Sequence, residues 1–174
     1  FPEILKSGKT GLQKMIAMTP SGKPVYYEEV AVIAIPLEVT EKKLDTAKII
    51  NVSRYFDPSE ETLDWNSPPG EWDVYRYICS NSGEQLKLPS KNSAGPIIDH
   101  FDSTATTAHF MHVINLLKPV LGDFSKTALK SLYLASYEAT GSVWTSTLPS
   151  EFRRINGYDI YKFIPALFNK DLFT

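Results

Sequence analysis

Apolar and polar positions divide this chain into short hydrophobic runs separated by polar, Gly- and Pro-containing stretches. Val30-Ala31-Val32-Ile33-Ala34-Ile35 is continuously apolar and stops at Pro36, which predicts a strand buried on both faces, the kind found in parallel sheets. Glu71 to Ile78 has the aromatic and β-branched content of another strand, directly behind the turn-forming Asn66-Ser67-Pro68-Pro69-Gly70. Weaker strand patterns cover Leu12–Met18, Lys48–Val52 and Leu129–Leu134, and Asp57-Pro58-Ser59 reads as a turn. Helical spacing is clearest where Phe110, Ile114, Leu117 and Leu121 recur at intervals of four, three and four, behind a capping Asp102 or Ser103 and ahead of Gly122. A second helix is predicted over Leu148–Asn156, closed by Gly157, and a short helix or turn over Ile160–Phe168, interrupted at Pro165. Strand, loop and helix in alternation define an α/β fold class built of βα units on a parallel sheet.

The pattern divides the chain into a peripheral segment, residues 1–29, and a main region, residues 30–174, with a mixed, charged excursion at about 37–68. With 174 residues at 43% apolar content the chain can bury a core, whereas an eight-stranded α/β barrel takes about 250 residues. It starts at Phe1 without an initiator Met, and the expectation is a fragment, whose open sheet edge would favour self-association. The polar stretch Ser80–Ser93 is long enough that it is read as either a functional loop or a disordered one.

Charge narrows the partners. A net charge of −2, a pI near 5.9 and no Lys/Arg-rich block provide no electrostatic footprint for nucleic acid or an anionic membrane surface. The single cysteine, Cys79, falls in a predicted strand and reads as a core thiol. No secretory signal, membrane span, lipidation motif or glycine-rich nucleotide loop is visible, and the Asn51-Val52-Ser53 sequon is set aside as a chance triplet.

Candidate chemistry centres on Glu138, which closes the run Leu132-Tyr133-Leu134-Ala135-Ser136-Tyr137 and precedes a loop holding Gly141 and Trp144. A carboxylate just beyond a strand end would enter the cleft of an α/β barrel, a placement suited to sugar cleavage. The plainer role for Glu138 is a solvated loop carboxylate. Trp144 is either a platform for a sugar face or ordinary packing. Arg76 could reach a substrate group or pair with an acid such as Asp99 or Glu138. Asp99, behind Ile97-Ile98, could be a strand-end acid or a helix cap. His109 and His112 sit three apart on the predicted helix, but without nearby cysteine or Glu at ligand spacing they are read as packing or hydrogen-bonding groups rather than zinc ligands. Arg153-Arg154 with Asp159 reads as a structural ion-pair group.

Several segments in order carry a resemblance: Pro69-Gly70-Glu71-Trp72-Asp73-Val74-Tyr75-Arg76-Tyr77; Gly95 through Asp99 with Ala105, Ala108 and His109-Phe110; Ser136-Tyr137-Glu138 with Trp144-Thr145; Glu151-Phe152-Arg153-Arg154; and Gly157-Tyr158-Asp159. Together, over about residues 30–169, the chain resembles glycoside hydrolase family 106, the α-L-rhamnosidases. The resemblance implies part of a (β/α)8 catalytic core in a longer protein that hydrolyses α-L-rhamnosyl linkages of glycans with inversion and with help from calcium. It implies Glu138 as a catalytic carboxylate, the base, with the proton donor on a later strand beyond Thr174. Asp99, Trp144, Arg76 and His100 become candidate substrate-binding residues, and a periplasmic or extracellular location is implied. The division of labour follows inverting chemistry, which uses two carboxyl groups about 6.5–9.5 Å apart.

Departures from the family's pattern fall at Ala135, where the motif has an aspartate, and at Gly95-Pro96-Ile97-Ile98-Asp99-His100, which stands in place of a Gly-Leu-Glu-x-Asp-Lys pattern. They leave open a second reading, a noncatalytic carbohydrate-binding or scaffold domain derived from a glycosidase barrel.

Overall fold

The computed structural model describes residues 19–21, 23–37, 45–81, 91, 97–132 and 143–168. The chain forms two compact units, one from Phe1–Ser82 with Leu148–Thr174 and the other from Gly83–Thr147.

The first unit is organised on strand β1, Tyr27–Pro36, whose Ala31 to Ile35 stretch is buried throughout. Short β2, Ile50–Asn51, lies on one side of it and β5, Trp72–Ser80, on the other, in the order β2-β1-β5. Between them β3, Phe56–Asp57, and β4, Thr62–Leu63, form a separate hairpin around the predicted Asp57-Pro58-Ser59 turn. The Asp57 carboxylate builds that turn by accepting from the Ser59 N–H at 2.8 Å and the Ser59 hydroxyl at 2.6 Å. These bonds hold its carboxyl below the usual range.

All described strand pairs are antiparallel, which corrects the parallel sheet expected from the apolar run. The described sheet is open, and no (β/α)8 barrel is formed among the described residues. A continuous apolar run reports burial on both faces and says nothing about the direction of its neighbours. A parallel return requires a crossover, usually helical. The described part of the β1–β5 connection has only short strands and single 3₁₀ turns, and β5 comes back against β1 with Ile33 opposite Tyr75 and Ala34 opposite Val74.

On one face Val32, Ala34 and Val52 form a buried cluster against Ile50, Phe56, Leu63, Trp65 and Trp72. The Trp65 and Trp72 rings meet edge to face at 5.5 Å, and the Trp72 indole N–H donates to the Pro68 carbonyl at 3.1 Å, locking the turn ahead of β5. Where β2 ends, β1 is still satisfied: the Val32 N–H donates to Ser53 Oγ at 2.8 Å and the Val52 N–H donates to the Val32 carbonyl at 2.9 Å. Asn51 Oδ1 in turn accepts from the Ser53 hydroxyl at 2.6 Å, so the Asn51-Val52-Ser53 triplet works as a strand-ending turn. Helix α2, Leu148–Asn156, and short α3, Ile164–Phe168, complete this unit. Pro149 and Pro165 lie in the first turns of these helices, where a missing N–H costs nothing, so Pro165 starts a helix rather than interrupting one. Phe168 stacks on Tyr77 of β5 at 5.5 Å.

The second unit contains helix α1, Ser103–Leu121. Asp102 caps it, its carboxylate accepting from the Thr104 N–H at 2.8 Å, and Gly122 ends it at φ 68°, donating to the Lys118 carbonyl at 2.8 Å. Gly157 closes α2 in the same way at φ 77°, donating to the Arg153 carbonyl. The strand expected at Leu129–Leu134 is not formed over Leu129–Leu132, because the Leu129 N–H donates to the Thr127 hydroxyl at 3.2 Å instead of to a ladder. Tyr133 and Leu134, like the possible strand at Leu12–Met18, lie outside the described residues.

Candidate functional site

Glu138, with Ala135, Ser136 and Tyr137, lies outside the described residues. The other candidates fall into both units. Arg76 is in the first; Asp99, His100 and Trp144 are in the second. Asp99 and His100 are exposed and Trp144 is half-buried.

Arg76 sits in β5 opposite Val32, and its guanidinium forks onto the Glu29 carboxylate of β1, with Nε donating to Oε2 at 3.1 Å and a second, shorter contact from Nη2 to Oε1. Its Nη1 donates to Glu61 at 2.7 Å, and Glu61 also pairs with Lys23 at 2.6 Å. The Phe56 and Tyr27 rings flank the cation at 4.8 Å and 5.8 Å. Among the described residues of this unit its ion-pair partners are Glu29 and Glu61. Glu29 and Glu61 raise the Arg76 pKa, Glu29 most, and hydrogen bonds from Arg76 and then Lys23 hold the Glu61 carboxyl down to about 2. This network ties β1, β5 and the β3–β4 hairpin into one piece.

Asp99 is not at a strand end: residues 97–99 are irregular. Its carboxylate accepts from the Phe101 N–H at 2.9 Å and its carbonyl from the Asp102 N–H at 3.3 Å, turning the chain into the α1 cap, which Asp102 itself provides. His109 and His112 are exposed on α1, with His109 edge-on to Phe110 at 6.1 Å, in place of the interior packing expected of His109. Arg154 pairs with Glu151 at 2.8 Å, one helical turn back, while Asp159 accepts from the Tyr161 N–H at 2.8 Å. The Arg153-Arg154-Asp159 group is thus replaced by a local i,i+3 pair and a turn. Cys79 is half-buried in β5.

Beside Trp144, Thr145 is 7% exposed and its hydroxyl has no hydrogen-bond partner. Neither this feature nor the Glu29–Arg76–Glu61 network has a local sequence signal, because each depends on groups brought together by the fold. Among the described residues no three His, Cys, Asp or Glu side chains converge where they could hold a metal ion. Among them, too, no helix is long and apolar enough to cross a membrane.

A mixed α/β chain carrying these ordered segments falls in the class of glycoside hydrolases, and comparison with known proteins gives the family. The profile of glycoside hydrolase family 106, alpha-L-rhamnosidase, matches residues 13–170, and the chain belongs to that family. It is similar to a solved rhamnosidase from Novosphingobium sp. PP1Y, at 27% identity and a TM-score of 0.59, covering 72% of this chain and 12% of that one. It is also similar to a protein of Formosa agariphila named "Putative beta-glucuronidase", at 22% identity over 196 residues, covering 96% of this chain and 17% of that protein. The chain therefore spans less than a fifth of the length of either relative.

Proposed function

We propose that this chain is the part of a longer glycoside hydrolase that supplies one of two catalytic carboxylates for inverting hydrolysis of α-L-rhamnosyl linkages in glycans. The observation that carries the reading is the family match over residues 13–170, which includes the Ser136-Tyr137-Glu138 segment. Glu138 acts as the base. Its carboxylate takes a proton from water as the water oxygen attacks the anomeric carbon, and the bond to the leaving oxygen breaks. A second carboxylic acid, contributed by another part of the longer protein, protonates that oxygen. Trp144 offers an aromatic face to the sugar, and Asp99 and His100 offer exposed polar groups. Arg76, committed to Glu29 and Glu61, serves by fixing β5. No step is assigned to calcium.

The test is the first product of the full-length protein on an aryl α-L-rhamnoside, followed by proton NMR. Early release of β-L-rhamnose, which then mutarotates, is the expected result; α-L-rhamnose as the first product contradicts inversion. A second reading, a noncatalytic carbohydrate-binding or scaffold domain, is favoured by the departures at Ala135 and at Ile97 and His100, and it predicts binding of rhamnosides without release of sugar.

A further inference from the structure

Helix α1, Ser103–Leu121, buries none of its residues. Most helical stability in proteins comes from packing an apolar face, since a lone helix is marginal in water. α1 has a further cost to meet: Pro119 lies inside it and has no N–H to donate to the Asn115 carbonyl one turn back. Its composition is nevertheless that of a buried helix. Lys118 is its only Lys, Arg, Asp or Glu. Beside the Phe110, Ile114, Leu117 and Leu121 stripe runs a second apolar row, Val113, Leu116 and Val120, at intervals of three and four. Leu116 is 61% exposed and Val120 83%. A helix apolar on more than one face belongs in the interior of a larger protein. A helix lying on a membrane surface would carry a Lys/Arg-rich polar face, and α1 has Lys118 alone.

The relatives point to the source of the cover. This chain spans 17% and 12% of their lengths, so in a protein of that size most of the polypeptide lies outside it. Being tethered, that polypeptide meets α1 at an effective concentration that a second molecule does not match. We propose that the Leu116–Val120 row of α1 is a docking face, covered by an apolar surface from another part of the same longer polypeptide. The inference shares with the rhamnosidase reading only the longer protein, and it requires no turnover.

The experiment places a benzophenone-bearing phenylalanine analogue at Val120 of the full-length protein and maps the light-induced cross-link by mass spectrometry. The expected product is a cross-link within one molecule, to a peptide outside residues 1–174. A cross-linked dimer, a cross-link to a residue within 1–174, or no cross-link at all overturns the proposal. Val120→Lys adds a test by sign. At a solvated position in the last turn, lysine suits both helix propensity and the helix dipole, and the melting temperature would hold or rise. Under a docked apolar surface the same charge is desolvated, and the melting temperature of the full-length protein is expected to fall by several degrees. An unchanged or higher value in Val120→Lys contradicts the docking face. Absence of rhamnose release would count against the catalytic reading and leave the cross-link result standing.

Discussion

Glu61 holds a left-handed backbone, φ 55°, without being glycine, and its carboxylate is gripped by Arg76 and Lys23. The two cations offset the strain of a conformation that L-residues avoid. Its carboxyl lies at about 2 against an ordinary 4.5, so the folded state favours the charged form. The resulting stabilisation is fully present above the ordinary value and is lost as pH falls through about 2. Carbon-13 NMR of the side-chain carboxyls should show Glu61 titrating well below the exposed glutamates, and Arg76→Met should return it towards 4.5; a Glu61 that titrates with the others contradicts the network. Arg76 was conspicuous in the sequence, but its partners lie 47 and 15 residues away, so no local spacing could show that the fold had already claimed it. Thr145 was likewise invisible, because a missing hydrogen bond exists only once burial is known.

At the scale of elements, the helices were the most legible part. Asp102 and Gly122 bracket α1, and Gly157 closes α2, because capping chemistry is written in one or two residues and needs no tertiary partner. Asp102→Ala should cost about 1 kcal/mol, read as a lower denaturation midpoint, while Asp102→Asn, which keeps the acceptor, should restore most of it; equal losses in both would deny the cap. Strands β1 and β5 were legible as strands for the same local reason, apolar and β-branched runs bounded by proline and turn residues. Over Leu129–Leu132, the described part of the predicted Leu129–Leu134 strand, no ladder forms, and the Leu129 N–H goes to the Thr127 hydroxyl instead.

For the whole molecule, strand direction was the feature the sequence could not supply. It depends on how the excursion between β1 and β5 returns the chain, and the return is antiparallel. The family, by contrast, was legible from several ordered segments, and the profile match over residues 13–170 rests on the same stretch of chain. The chain covers 17% and 12% of the two relatives compared above, so the proposed chemistry is tested on the full-length protein. That experiment is the steady-state release of L-rhamnose by the full-length protein and its Glu138→Gln variant. Loss of the base should lower kcat by about 10²- to 10⁴-fold with the melting temperature preserved, whereas undiminished turnover in the variant would remove Glu138 from the reaction and the proposed mechanism with it.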